Sequence, residues 1–572
     1  MDYEFLDGSC YVTNAKGERN RVSNFNANII KEFQRIDEKA VSRSYVIAGK
    51  NEKGENLPPV EVTADEFTSL GWVGQKWGSK AIIFPTPSAK DGLRTAIQLL
   101  SDPDIEPVYI HTGWAEIKGQ WVFLANNHSI GKNGPRSNIN VDLPKDLDRY
   151  TFPSKTSTPR EAIEATFMLP RLLGLEVGYL LLATAFRAPI GTDFAVHITG
   201  RTGTFKSEIA ACAQSFFGVT TARELPASWS STPNALEALA YRAKDALMVI
   251  DDFIPVGTSY QQRAYQTTAD RIIRAVGNQA GRARLTDVSG HQQTMWPRAM
   301  ILSTGEDTPE GHSVRARMII TELSPGEIKP EDLTQAQRSR PLYNEAMAGF
   351  LAWAAADICG LRKTVQLIEH EIRDDNLSVG HSRTPTTLGK LIGALWALTE
   401  YAKTIGVTDA ARHHILDEGT DAILEIASRQ QSYLQAADPA DQFIQVLRGI
   451  FGANAAHLKA RNGGVPKNAI QFGWIRLGED DWKPHGPRLG WEAPERNTVY
   501  LDAQVAYDTI RRHSRGAVTL TRATLYKRLR EAGHLTETDQ HRQRNTVRVT
   551  LENATRTVIA LNLQTLLTQE IE

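Results

Sequence analysis

The stretch Val196-His197-Ile198-Thr199-Gly200-Arg201-Thr202-Gly203-Thr204-Phe205-Lys206-Ser207-Glu208 constrains the fold more than any other part of the chain. A β-branched, apolar run ends abruptly in a glycine-bearing turn, followed by Lys-Ser and a helix-like segment at 209–216. Strand, loop and helix start come in the order that a phosphate-binding loop needs. Successive backbone N–H groups and the positive helix end can cradle a polyphosphate, with Lys206 over the β- and γ-phosphates and the Ser207 hydroxyl on Mg²⁺. The candidate nucleotide contacts are Gly200, Arg201, Thr202, Gly203, Thr204, Phe205, Lys206 and Ser207. Phe205 stands where the full GxxxxGK[ST] pattern has glycine, the residue used where backbone turns sharply or approaches a ligand. Taken alone, the stretch also reads as a strand–turn–helix packing unit with a solvated lysine.

A second apolar run, Ala246-Leu247-Met248-Val249-Ile250-Asp251-Asp252, ends in two carboxylates, 45 positions after Lys206. A nucleotide hydrolase needs one carboxylate near Mg²⁺ and another acidic group to polarise the attacking water, and a strand tip beside the phosphate loop supplies both. Asp251 is assigned to the metal shell and Asp252 to water activation; a buried strand ending in a solvated turn is the plainer alternative. A third run, Ala299-Met300-Ile301-Leu302-Ser303-Thr304-Gly305-Glu306, also goes from apolar to polar. Ser303 or Thr304 there suits a residue that orients the water and senses the γ-phosphate, or one that caps the next segment. Arg315 and Arg317 lead into Met318-Ile319-Ile320. An arginine so placed can reach an adjacent subunit's nucleotide and neutralise transition-state charge, or face solvent. Between the second and third runs, glycines and closely spaced arginines, Arg282 and Arg284 among them, suit a hairpin or basic loop offered to phosphates.

The surroundings fit a large soluble α/β protein. The 572 residues imply about three to five domains. A net charge of -1 requires any nucleic-acid surface to be local. Cys10, Cys212 and Cys359 lack metal-ligand spacing and suit a reducing cytosol. The acidic opening is unlike a signal peptide. The greasy stretch 172–190 is interrupted by Glu176 and Arg187, so it reads as a buried helix rather than a membrane span. The expectation is a cytoplasmic protein with no membrane partner.

Four regions are expected. Residues 1–150 form a mixed α/β domain with strands at 45–48, 59–62, 80–84, 107–110 and 120–123 and helices at 66–70 and 91–100, with Trp72, Trp77, Trp114 and Trp121 assigned to cores. Residues 151–340 hold helices at 159–190, interrupted at Pro170, and then a parallel-stranded nucleotide-binding core. Residues 341–460 are helical, most clearly at 346–368 and 388–405. Residues 461–572 comprise a Gly/Pro/Trp-rich linker and a small basic module.

That module reads as a helix at 505–513, a turn, and a second helix stopped by Gly533, followed by a strand at 546–551. Residues 511–548 hold ten Lys/Arg against three acids. Leu525, Leu529 and Leu535 point inward, leaving Arg522, Lys527, Arg528 and Arg530 outside, with Arg542 and Arg544 beyond. This is the sequence shape of a winged helix, whose second helix would enter a major groove while its wing touches the backbone; a protein-docking winged helix has the same shape.

GRTGTFKS, VIDD, and GNQAGRARLTD followed by ILSTGED together resemble the ring-forming superfamily 3 helicases. More closely, they resemble the "domain of unknown function 927" ATPases of phages and bacterial mobile elements. The segment from Trp72 through Lys90-Asp91-Gly92-Leu93-Arg94 to His111-Thr112-Gly113-Trp114 is similar to that family's front end. The resemblance implies an α/β, AAA+-like P-loop core and a hexameric, ATP- and Mg²⁺-using DNA translocase in element replication. It also implies that Arg282 and Arg284 grip single-stranded DNA on a pore hairpin, that Arg315 acts in trans, and that a separate primase or polymerase is a possible partner. The chain departs from the pattern at Phe205, and at Ser303-Thr304, where the helicase class has asparagine. A non-unwinding, ATP-switched DNA-binding initiator, loader or defence ATPase is the alternative. A nucleotide kinase-like enzyme is the third, with no small-substrate motif to support it.

Overall fold

The computed structural model describes residues 1–38, 40–280, 284, 285, 291, 292, 295–375, 383–435, 437–478, 481–514, 520–539, 542 and 544–567. Alternating apolar and polar residues at the start form an antiparallel sheet of β1 (Asp2–Leu6), β2 (Ser9–Thr13) and β3 (Arg19–Ser23). The long hairpin β4 (Phe25–Asp37) and β5 (Ala40–Asn51) extends through β6 (Asn56–Thr63). Thr63 and Glu66 exchange hydrogen bonds as a capping box that starts α1 (Ala64–Ser69). Helix α2 (Ala89–Leu100) buries Leu93, Ala96 and Ile97, and β7 (Asp104–Tyr109) returns parallel to β4. The antiparallel meander β8 (Gly113–Ile117), β9 (Gln120–Leu124), β10 (Ser129–Gly131), β11 (Gly134–Arg136) follows, then β12 (Asn140–Val141) beside β7. Of the strand expected at 80–84, a single antiparallel bridge forms, Ile83 opposite Ser23, with Asn24 N donating to Ile82 O and Phe84 N to Val22 O. The Asn24 side chain, accepting from Ile82 N and donating to Lys80 O, holds the rest of the segment beside it. Trp72, Trp77 and Trp114 are buried and Trp121 is half-buried against a core, as expected.

Helices α3 (Pro159–Leu173) and α4 (Leu175–Arg187) break at Gly174 (φ 87°), whereas Pro170 lies inside α3. Gly178 lets α4 lie directly on Pro170. The central sheet then follows: β13 (Ala195–Thr199), α5 (Lys206–Gln214), β14 (Ala227–Ser228), α6 (Pro233–Arg242), β15 (Leu247–Phe253), α7 (Ser259–Asn278), a short antiparallel pair β16 (Arg284–Leu285) and β17 (His291–Gln292), β18 (Met300–Gly305), α8 (His312–Arg315) and β19 (Met318–Glu322). Its order is β14-β15-β18-β13-β19 and every pairing is parallel. The strands are continuous apolar runs because helices cover both faces.

Helices α9 (Pro330–Arg338), α10 (Arg340–Ala354), α11 (Ile358–Asp375), α12 (Thr384–Thr404) and α13 (Asp409–Gln435) pack on this sheet in one apolar core running from Trp114 to Ala427. The expected helix at 346–368 is two helices, because the Asp357 carboxylate accepts from Gly360 N and restarts the chain. Helix α14 (Pro439–Gly452) belongs instead to a C-terminal core. The same region of the chain holds β20 (His457–Ala460), β21 (Trp474–Arg476), β22 (Trp482–Pro484), β23 (Arg488–Ala493), β24 (Thr498–Asp502), α15 (Ala503–His513), α16 (Arg522–Glu531), β25 (Leu535–Glu537), β26 (Val547–Leu551) and β27 (Ala554–Asn562). Buried apolar clusters run from Cys10 to Ile97, from Trp114 to Ala427 and from Ala440 to Leu566. Tyr150 belongs to the second of these, and its hydroxyl donates to Leu247 O at 2.8 Å, inside the central sheet.

Candidate nucleotide-binding site

The β13–α5 loop lies at the C-terminal edge of the parallel sheet, where open α/β sheets bind ligands. Gly200 (φ 157°) passes so close to Leu323 O that a Cβ there would sit 2.6 Å from it. Gly203 takes φ 86°, and Thr204 Oγ1 donates to Arg201 O at 2.9 Å. Phe205 adopts φ 68° and ψ 17°, the left-handed conformation that glycine would supply, with its side chain 37% exposed. Phenylalanine therefore replaces glycine in composition but not in backbone geometry, at a cost of about 1–2 kcal/mol. Helix α5 starts at the next residue, Lys206.

The chemistry-bearing groups converge. Lys206 Nζ donates to Gly200 O at 2.7 Å and Arg201 O at 2.8 Å. Ser207 Oγ donates to Asp251 Oδ1 at 2.9 Å, and the same oxygen accepts from Thr304 Oγ1. Asp252 N donates to Thr304 Oγ1 at 3.2 Å. A register shift between Ile250 and Phe253, with Asp252 at φ 69°, takes the acidic pair out of the ladder with β18 at the strand tip, while Asp251 still pairs with Ser228 of β14. Burial lowers the Lys206 pKa below the usual lysine value, opposed by Glu306, Asp251 and Asp252. Burial, then Asp251 and Glu306, raise that of Asp252 above the usual carboxylate value.

Ser303 and Thr304 separate by strand parity. Thr304 joins the site. Ser303 is buried on the other side of the strand, accepting from Trp229 Nε1 at 2.8 Å and lying 2.8 Å from His197 Nδ1. His197 Nε2 in turn meets Asp307 O at 2.9 Å, and burial pushes the ring pKa down to about 4. Neutral His197 with its proton on Nε2 therefore completes a buried chain from Trp229 to the Asp307 carbonyl.

Arg315 and Arg317 are engaged within the chain. Arg315 donates to Pro309 O, Tyr433 O and Thr308 Oγ1 at 2.9, 2.9 and 2.8 Å. Arg317 donates to Asn278 Oδ1 at 2.8 Å and Ser313 Oγ at 2.7 Å, bracing the end of α7. Arg282 lies outside the described residues, and of Arg284 only the backbone, in β16, is described. Arg522, Lys527, Arg528 and Arg530 are exposed on α16, and Arg542 and Arg544 are exposed before β26. Lys527 and Arg528 pair with Glu531 at 3.7 and 3.0 Å.

Further contacts around the loop come from the structure. Glu306 accepts from Thr202 Oγ1 of the β13–α5 loop; as an acid two residues past Thr304, it is visible in the sequence. Arg340, buried, reaches Glu208 of α5 at 3.1 Å from α10, and Gln337 reaches the same carboxylate at 2.7 Å. No sequence signal marks that pairing.

The fold is that of a mixed α/β protein. Residues 87–294 match the family described as "Domain of unknown function (DUF927)", which bears out the resemblance drawn from the motifs. In fold, the chain is similar to the solved structure described as "SCCmec type IV Cch - active helicase", at 15% identity, covering 98% of this chain and 97% of that one, with a TM-score of 0.54. "The A form apo structure of NrS-1 C terminal region-CTR" aligns at 12% identity over 71% of this chain and 90% of that one, with a TM-score of 0.26. No curated protein matches the chain. Among the described residues, no helix is long and apolar enough to cross a membrane.

Proposed function

We propose that the chain is an ATP-driven DNA helicase or translocase, acting in the replication of a phage or mobile element from the cytoplasm as a homo-hexamer. The observation that carries this reading is the convergence of Lys206, Ser207, Asp251 and Thr304 at one edge of a parallel sheet. The strand order supports an AAA+-like, superfamily 3-type P-loop core, with the phosphate-loop strand β13 between β18 and β19 and the acidic strand β15 beyond β18. The proposed division has an N-terminal region before β8, an ATPase region carrying its helical layer to about 435, and a winged helix with α14 and the adjoining strands.

The Ser207 hydroxyl and Asp251 carboxylate are hard oxygen donors 2.9 Å apart, a set that fits Mg²⁺, which prefers one or two protein oxygens with phosphates and water completing the shell. Mg²⁺, when bound, neutralises charge on the β- and γ-phosphates. Lys206 contributes its ammonium to the same phosphates in exchange for the two loop carbonyls. Asp252, kept basic by its environment, accepts the proton of the attacking water, and Thr304 fixes the acidic pair. Ser303 takes a structural role. Arg282 and Arg284 are proposed to meet single-stranded DNA, and Arg522, Lys527, Arg528, Arg530, Arg542 and Arg544 to meet duplex. A separate primase or polymerase would supply synthesis.

The intrachain engagement of Arg315 favours a second reading, a non-unwinding ATP-switched initiator, loader or defence ATPase. A trans-acting arginine would first have to leave Thr308, Pro309 and Tyr433. A forked-duplex strand-displacement assay with ATP separates the two. Displacement that disappears in Lys206→Ala supports the helicase; ATP hydrolysis without displacement supports the switch.

A further inference from the structure

Two grooves of about 780 Å³ each indent the C-terminal region. One is lined by Glu492, Glu495 and Glu552 together with Arg461 and Lys467. Its charges are largely internal, with Arg461 on Glu495 at 3.3 Å and Lys459 on Glu552 at 2.9 Å. The other runs between the start of α16 and the β26–β27 hairpin, and its lining is of a different kind. Arg522, Arg544, Thr546, Thr555 and Thr557 offer guanidinium and hydroxyl donors. Its one carboxylate, Asp502, is committed to capping α15 through Gln504 N and Val505 N, both at 3.1 Å.

Strand register extends this donor set. Arg548 pairs with Thr557, and Thr550 with Thr555, so the exposed Arg548 shares a face with both threonines. Neither Arg544 nor Arg548 has a carboxylate partner among the described residues. Among the described residues, the hydrogen-bond partner of the Arg522 guanidinium is the neutral amide of Gln504. The outward side of α16 differs, since Lys527 and Arg528 are both answered by Glu531.

We propose that this groove is a clamp for the phosphodiester backbone of duplex DNA, built from Arg522, Arg544, Thr546, Arg548, Thr555 and Thr557. The inference rests on the DNA-binding reading of this module and deepens it. The unpaired cations and hydroxyls lie in the cleft beside the hairpin, while the cations on the outward side of α16 are partly neutralised. Phosphate contacts position a protein without reading bases, so the module grips duplex irrespective of sequence.

The test is a fluorescence-anisotropy titration of the full chain with two unrelated labelled 20-base-pair duplexes across a sodium chloride series. Arg544→Gln/Arg548→Gln should weaken both duplexes equally and make the slope of log K against log [salt] less negative by about 1.8, at about 0.9 for each phosphate no longer neutralised. Arg544→Lys/Arg548→Lys should recover most of that slope, which an unfolded variant would not. Lys527→Gln/Arg528→Gln should change the slope by less. A wild-type chain that binds neither duplex overturns the DNA reading of the module and the clamp with it. An unchanged slope in Arg544→Gln/Arg548→Gln, or a larger loss in the α16 pair, overturns the clamp alone. Unequal losses on the two duplexes overturn its indifference to sequence.

Discussion

Phe205 carries φ 68° one residue before Lys206, so the strain of a Cβ in the left-handed region sits at the loop that would hold the phosphates. Glycine removes that strain and alanine keeps it. Phe205→Gly should therefore be about 1 kcal/mol more stable than Phe205→Ala in urea unfolding; equal midpoints would mean the loop relaxes around any residue. Glu306 acts through charge. It helps raise the Asp252 pKa, and the general base proposed at Asp252 must be deprotonated to work, so the proposed activity should fall as pH drops through that raised value. Glu306→Gln removes one of the causes, and the acid limb of the ATPase pH profile should move to lower pH. A limb that stays in place would separate Asp252 from Glu306.

Among the elements, the α3–α4 pair shows how a single hydrogen atom sets a crossing. Gly178 lies against the Pro170 backbone, and a Cβ there runs into Pro170 Cα. Gly178→Ala should cost about 1–3 kcal/mol of unfolding free energy through overpacking; a neutral result would show that the helices can slide. The same pair bears on what a sequence makes legible. The apolar runs of β13, β15 and β18 and the polar residues closing them announce the sheet and most of the candidate site at its edge, because burial on both faces leaves continuous hydrophobic stretches. Pro170 reads as a break in the sequence, yet a proline can lie within a helix when the chain turns four residues later, at Gly174. Choosing Thr304 over Ser303 needs the strand's facing, which adjacent hydroxyls do not reveal. The partners of Arg315 include the carbonyl of Tyr433, 118 residues away, and such long-range pairings leave no local pattern.

At the scale of the whole molecule, the N-terminal sheet is welded to the central one by charge. Asp37, ending β4, meets Arg298, just before β18, at 3.0 Å with both side chains buried, and Arg298 also stacks 3.7 Å from the Tyr241 ring. Removing one partner of a buried pair leaves an uncompensated charge, at about 3–5 kcal/mol. Asp37→Ala should fall at the lower end, because Glu38 still reaches Arg298 at 3.3 Å. Unfolding that stays at the wild-type midpoint would mean the two sheets are not mechanically joined. On the far side, Gln430 of α13 accepts from Ile320 N at 2.9 Å, tying the helical layer to the edge strand β19. The most direct measurement is calorimetric titration of MgATP into the wild-type chain and Lys206→Ala. Saturable binding by the wild type that weakens at least tenfold in a variant of unchanged thermal midpoint is the predicted result; equal binding by both would place the triphosphate somewhere other than between Lys206 and Asp251.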